Sequence, residues 1–141
     1  MYNSNVISQD QALCHLLFHC CLKDGRFDAG EIDLVSEIFV QFGLQHDLNF
    51  KEEVRTYKNY AGNITDEQEY IDYLVGLIVP VNELALFSWC VELTLSDGKM
   101  SAEEESLLGR IADSLKISDD ESGIIKNLMV QRKVVLSEKI C

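Results

Sequence analysis

The chain has 141 residues, of which 47% are hydrophobic, so it can bury one core and is too apolar to be a disordered chain. Its formal net charge of −12 disfavours nucleic acid and anionic membrane surfaces as partners, because both are bound through Lys and Arg. A metal cation or a basic protein surface is the expected counterpart of this charge.

The sequence predicts a soluble cytoplasmic protein. Its first residues contain neither the basic nor the apolar run of a signal peptide. The longest strongly apolar stretch, residues 71–81, is about half of a membrane span and contains Pro80, so we expect no direct insertion into a membrane. The five cysteines are odd in number and lack the spacing of a disulfide framework, which indicates reduced thiols.

Apolar spacing and helix-start signals predict an all-α fold of about seven helices, packed as a single compact bundle over residues 1–141. The predicted helices span residues 9–23, 29–42, 48–61, 66–79, 81–95, 102–115 and 119–135. Capping boxes, in which two side chains satisfy free amides at a helix start, are expected at Ser8/Gln11, Asp28/Glu31, Thr65/Gln68, Ser101/Glu104 and Ser118/Glu121. Asp47 and Pro80 mark the two remaining starts.

The apolar pattern also predicts which parts of the bundle are buried. The helices over 66–79 and 81–95 are apolar on nearly every face and are expected at the centre, with Trp89 as the core anchor. Gly43 is expected just past a helix end. Other residues expected to face the core include Phe42, Phe50, Val54, Tyr57, Ala61, Ile124, Ile125, Leu128 and Met129.

Two acidic turns repeat one pattern. Residues 24–31 and 97–104 both read Asp-Gly-x-apolar-x-Ala-x-Glu, and the match continues into their flanks at the same offset of 73 residues. Each turn lies between two predicted helices. We therefore predict two helix–acidic turn–helix halves, about 9–61 and 81–135, related by a pseudo-two-fold axis and bridged by the helix over 65–79.

The acidic turns are candidate sites for a weakly bound divalent cation, because carboxylate, hydroxyl and carbonyl oxygens suit hard metal ions. The candidate ligands are Asp24, Asp28 and Glu31 in the first turn, and Asp97, Ser101 and Glu104 in the second. The alternative is structural: the same residues cap the helix that follows each turn, and the carboxylates complement the helix dipole.

A complete calcium-binding EF-hand is excluded. The turns match the second half of such a loop, but its first ligand positions would fall on Cys20 and Leu22 in one copy and on Leu93 and Leu95 in the other. None of these side chains supplies a hard oxygen ligand.

The first predicted helix contains a second possible site. His15 and His19 are four residues apart and share a helix face, a spacing that can hold zinc. That face offers no third ligand, and the alternative is a pair of surface histidines beside buried thiols such as Cys14 and Cys21.

No catalytic site is predicted. The chain lacks a nucleophile elbow, a phosphate-binding loop and a dinucleotide fingerprint, so we expect a protein that is not an enzyme. Eight acidic residues between positions 97 and 121 form either a solvated face or a docking surface for a basic protein.

The doubled Asp-Gly…Glu turn, placed between helices of an all-α chain of this length, resembles the tellurite-resistance TerB-like family, over residues 9–135. The resemblance implies a seven-helix, pseudo-two-fold fold and an acidic patch for a divalent metal. The metal residues that it implies are Asp24 and Glu31 in the first copy, and Asp97 and Glu104 in the second. It also implies a non-enzymatic role in stress or metal-response assemblies, often at the cytoplasmic face of a membrane complex.

The sequence therefore predicts a non-enzymatic TerB-like module whose acidic turns bind a divalent cation weakly or dock a partner protein. The alternative is a structural or oligomerising helical scaffold in which the turns serve only as helix caps.

Overall fold

The computed structural model describes residues 2–22, 29–95 and 100–137, with side chains over 2–22, 32–95 and 100–132. Within these ranges the chain forms α-helices, one 3-10 turn at Leu44–His46 and no strand, so the predicted all-α class is confirmed. The helices are α1 Tyr2–Asn5, α2 Gln9–Leu22, α3 Ala29–Gln41, α4 Phe50–Ala61, α5 Glu67–Ile78, α6 Glu83–Thr94, α7 Ala102–Leu115 and α8 Asp119–Ser137. None of them is both long enough and apolar enough to span a bilayer.

The short helix α1 was not predicted, because four residues are too few to show a helical period. Long-range contacts hold it in place. The Tyr73 hydroxyl donates to the carbonyl of Val6 at 2.7 Å and to that of Asn3 at 3.2 Å. The Tyr2 ring meets the Tyr70 ring edge-on, with centroids 4.9 Å apart. Tertiary packing, rather than local propensity, therefore stabilises this turn.

The helix at the centre of the bundle is α2, which contacts α3, α4, α5 and α6. Ten of its 14 residues are buried, against six of 12 in α6 and four of 12 in α5. The prediction that α5 and α6 form the centre therefore needs correction. The two histidines of α2 suggested that one face of this helix is exposed to solvent, but both side chains are buried against other helices.

Several helix starts agree with the predicted caps. The amide of Gln11 donates to Ser8 Oγ at 3.1 Å, and the amide of Glu121 donates to Ser118 Oγ at 3.2 Å. Gly43, just after α3, has φ of 71°, the left-handed conformation expected of a residue past a helix end. The predicted cap at Asp28 lies outside the described residues.

Three other starts differ from the prediction by one or two residues. Asp66 rather than Thr65 caps α5, and Asn49 rather than Asp47 caps α4. Pro80 was predicted as an early residue of α6, but α6 begins at Glu83 with Asn82 as its cap. Each true cap is an Asp or Asn whose side chain accepts the amide of the residue three positions later. Asp47 instead ends the 3-10 turn that follows α3.

Some residues predicted for the core lie at the surface. Ile124 and Leu128 are both 59% exposed, because α8 packs on α6 and α7 through its other face. Phe42 is 38% exposed, and its ring meets the half-buried Trp89 edge-on at 5.6 Å. Trp89 therefore borders the core rather than anchoring it.

The predicted internal duplication stays a prediction. Residues 23–28 and 96–99, which include the Asp-Gly pair of each turn, lie outside the described residues. The proposed division into halves at 9–61 and 81–135 also stays a prediction.

Candidate functional site

The acidic turns are described only in part. Asp24, Asp28 and Asp97 lie outside the described residues, and Glu31 is described only as backbone in the first turn of α3. That these carboxylates share a cation therefore stays a prediction.

The described end of the second turn is a complete capping box. The amide of Glu104 donates to Ser101 Oγ at 3.1 Å, and the amide of Ser101 donates to Glu104 Oε1 at 3.0 Å. This geometry confirms the predicted cap. The capping box therefore already uses part of the carboxylate that a cation at this turn would need.

The predicted zinc pair does not form a metal site. In the part of the chain that the structure describes, no group of three or more His, Cys, Asp or Glu side chains could hold a metal ion. His15 and His19 instead bind hydroxyl and carboxylate groups, so the zinc hypothesis is wrong for these residues.

His15 lies between α2 and α4 and is fully buried. Its Nε2 is 2.9 Å from Glu53 Oε1, and its Nδ1 is 2.6 Å from the Tyr60 hydroxyl. The imidazole also stacks on the Tyr60 ring, with an interplanar angle of 8°. The alternative prediction of a surface histidine is therefore wrong as well, because α4 supplies a partner for each ring nitrogen.

His19 makes the equivalent contacts one turn further along α2. Its Nδ1 is 2.8 Å from the Tyr57 hydroxyl, and its Nε2 is 2.9 Å from Glu67 Oε2. The other oxygen of Glu67 forms an ion pair with Arg110 Nε at 3.3 Å. The contacts of His19 thus connect α2 with α4 and α5, and through Arg110 with α7.

One assignment of hydrogens satisfies the contacts of His15. The Tyr70 hydroxyl donates to the Tyr60 hydroxyl at 2.6 Å, and Tyr60 donates to Nδ1 of His15. His15 then donates from Nε2 to Glu53. In this assignment each group donates or accepts a hydrogen bond with its neighbour, so none of them is buried without a partner.

Together these side chains form what we term the histidine clasp: His15, His19, Glu53, Tyr57, Tyr60, Glu67 and Tyr70. Burial raises the pKa values of its three tyrosine hydroxyls well above their ordinary value, because a phenolate there would lose its hydration. The hydroxyls therefore remain protonated donors.

The chemistry of the clasp is structural. A general base needs a nitrogen directed at substrate, but the two imidazoles are 0% and 4% exposed and have partners at both nitrogens. The clasp therefore joins helices rather than receiving a ligand.

Sequence reasoning missed most of the clasp. It placed the buried stripe of α4 at residues 50, 54, 57 and 61, whereas Glu53, Tyr57 and Tyr60 are its buried residues. The available signal was the i, i+4, i+7 spacing of these three side chains, which matches the i, i+4 spacing of the two histidines.

The fold and the described turn define a small acidic all-α module with a capped acidic turn before α7. The chain belongs to the family described as tellurite resistance protein TerB, whose family model matches residues 10–127. This range includes both Asp-Gly…Glu turns, and it confirms the resemblance inferred from them. Searches of curated proteins and of solved structures found no match to the chain.

Proposed function

We propose that the chain is a non-enzymatic module of a tellurite-resistance-like stress or metal-response system. It acts through the two acidic turns, 24–31 and 97–104, which bind a divalent cation weakly or dock a partner protein. The observation that carries the proposal is the repetition of one carboxylate pattern within the range matched by the TerB family, in a chain of net charge −12.

Cation binding is supported by the chemistry of the turns. Asp24 and Glu31 in the first copy correspond to Asp97 and Glu104 in the second, and carboxylate oxygens are the usual ligands of calcium and magnesium. Binding should be weak, because each turn supplies few ligands and one oxygen of Glu104 is engaged in the capping box. Lys23, next to the first turn, further opposes a cation there.

Docking of a protein is supported by the charge of the whole chain. Sustained negative charge attracts basic surfaces and speeds their encounter. We place the module in the cytoplasm, in contact with a membrane-associated complex, as family membership suggests. A pull-down with the intact chain should lose its partner when Asp24 and Asp97 are both replaced by Asn.

Cation binding by the acidic turns is tested by titrating calcium, magnesium and zinc while amide NMR shifts are followed. Resonances of residues 24–31 or 97–104 should move first and saturate. Asp97→Asn should abolish the shifts of the second turn. Asp120→Asn is the matched control, because it removes one carboxylate from the acidic first turn of α8, which lacks the Asp-Gly motif. Shifts spread evenly over all acidic helix starts would show that the acidic turns are not specific cation sites.

The second candidate is a structural or oligomerising scaffold in which the turns are caps only. The capping box of Ser101 and Glu104 specifically favours it. Thermal melts of the Asp24→Asn, Asp97→Asn double variant distinguish the two functions. If the variant loses the same stability with and without divalent cations, the two aspartates stabilise the turns without metal, as the structural role requires; if the loss appears only with cations present, the turns bind metal.

A further inference from the structure

An apolar groove lies beside Trp89, on a side of the bundle that the acidic-turn proposal does not use. Its volume is about 270 Å³, and α2, α5 and α6 all contribute to it. The turn between α5 and α6 supplies Pro80 and Val81, and Phe42 closes the side next to α3. A recess this small and apolar suits a few side chains of a peptide better than a whole small molecule, whose sites begin at about 300 Å³.

Exposed apolar residues are part of this groove. Of the eight large hydrophobic side chains that are exposed in the described part of the chain, two line it, Phe42 and Val81, and the exposed Val79 lies between the lining residues Ile78 and Pro80. Val81 is fully exposed. Clustered apolar exposure of this kind marks interaction sites, whereas single exposed residues are ordinary.

The stretches of chain that line the groove contain acidic but no basic side chains. The sequence contains no Lys or Arg in residues 1–22, 27–50 or 59–98, the stretches from which every lining residue comes. Carboxylates do occur there: Asp10 lies one turn before Leu13 of the lining, and Glu83 follows Asn82. Trp89 also lines a second recess of about 240 Å³, whose lining includes Glu92 of α6 and Arg132 of α8.

We propose that this groove binds an amphipathic helix of a partner protein, with apolar side chains placed against Trp89 and Lys or Arg along the helix edges. An apolar helix face in an apolar groove is a common mode of peptide recognition, and a half-buried Trp is a typical energetic centre. The acidic rim supplies the complementary charge. A second copy of this chain is disfavoured as occupant, because it brings the same acidic rim and the same net charge of −12.

The proposal rests on the proposed function only in that the module docks a protein, and it is tested directly with purified chain. The probe is a Leu/Lys peptide of about 18 residues with helical amphipathic spacing. Trp89 is the single tryptophan of the chain, so its emission reports occupancy of the groove. Emission should shift to the blue and saturate with this peptide. It should stay unchanged with the Leu/Glu analogue and with a scrambled Leu/Lys peptide.

Two substitutions of the same charge locate the site. Ala85→Lys places a cation in the groove and should weaken peptide binding about tenfold or more, which corresponds to about 1.4 kcal/mol. Asn59→Lys, at an exposed position of α4, is the matched control and should change binding less than twofold. If Ala85→Lys reduces helicity, Val81→Ser replaces it, because a fully exposed side chain can be changed without loss of packing.

The remaining outcomes overturn the proposal. Equal binding of the Leu/Lys and Leu/Glu peptides, equal binding of the scrambled peptide, or equal weakening by Ala85→Lys and Asn59→Lys would each do so. So would a blue shift with phosphatidylcholine vesicles in place of the peptide, since the groove would then bind lipid. The groove proposal and the proposed function fail independently. If the peptide does not bind but cations still shift the resonances of the acidic turns, only the groove proposal is refuted.

Discussion

Burial of His15 shows how a polar residue can lie at the centre of an apolar helix. An unsatisfied buried polar group costs about 1–3 kcal/mol, so a histidine is stable there only if both ring nitrogens find partners. Glu53 and Tyr60 are those partners, and Tyr70 in turn satisfies Tyr60. The stability of this part of the core therefore depends on single hydroxyl groups.

We expect Tyr60→Phe to lower the free energy of unfolding by about 1–3 kcal/mol. The substitution keeps the ring but leaves His15 Nδ1 and the Tyr70 hydroxyl without a partner at the same time. Urea unfolding followed by circular dichroism measures the change. Tyr73→Phe is the control, because that half-buried hydroxyl donates only to loop and helix-end carbonyls. Equal losses in the two variants would contradict the role assigned to Tyr60.

At the scale of the helices, the ends of the elements are set by individual side chains rather than by the apolar period. Asp66 accepts the amide of Glu69 at 3.0 Å, while the neighbouring Thr65 precedes the cap. We expect Asp66→Ala to destabilise the protein by about 1 kcal/mol and Thr65→Ala by much less. A thermal melt of each variant compares the two losses of stability directly. A larger loss in Thr65→Ala than in Asp66→Ala would show that Thr65 is the cap.

The end of α7 carries conformational strain. Lys116 has φ of 59°, a left-handed conformation that is unfavourable for a residue with a β-carbon, and its amide donates to the carbonyls of Ala112 and Asp113. We expect Lys116→Gly to raise the free energy of unfolding by about 1 kcal/mol.

Gly43→Ala is the reciprocal control for Lys116→Gly. It introduces a β-carbon at φ of 71° and should lower stability by a similar amount. Chemical denaturation of both variants gives the comparison. A destabilised Lys116→Gly would show that the lysine side chain contributes more than its backbone conformation costs.

At the scale of the whole molecule, the buried hydroxyls and thiols cause the free energy of unfolding to fall as pH rises into the alkaline range. Burial raises the pKa values of Tyr57, Tyr60 and Tyr70 in the folded state, and burial likewise raises the pKa of the Cys14 thiol. A group whose pKa is higher in the folded state stabilises the fold below its unfolded pKa, and the contribution is lost as pH rises above that value.

We therefore expect a plateau in stability that ends near pH 8.5, where unfolded thiols ionise, and a steeper fall above about pH 10, where unfolded tyrosines ionise. Each such tyrosine adds at most about 1.4 kcal/mol per pH unit to the slope. Urea unfolding from pH 7 to 11 measures it, with Tyr57→Phe as the variant that should fall less steeply. Unchanged stability up to pH 11 would show that these hydroxyls are not buried in solution.

Prediction from the sequence succeeded where the signal is local. Helix periodicity and the caps at Ser8, Ser101 and Ser118 depend on residues within one or two turns, and the structure confirms them. The TerB family was likewise evident from a short repeated motif. Prediction failed for α1, for the exposed face of α8 and for the histidine clasp, all of which depend on residues distant in the chain.

The sequence by itself determined that the chain is helical, acidic and a TerB family member, because propensity, charge and motif are written in neighbouring residues. Only the tertiary structure decided that α2 is central, that its histidines are buried and that an apolar groove opens beside Trp89. The physical reason is that the burial of a side chain is a property of what packs against it. For His15 those contacts come from residues 38 and 45 positions further along the chain.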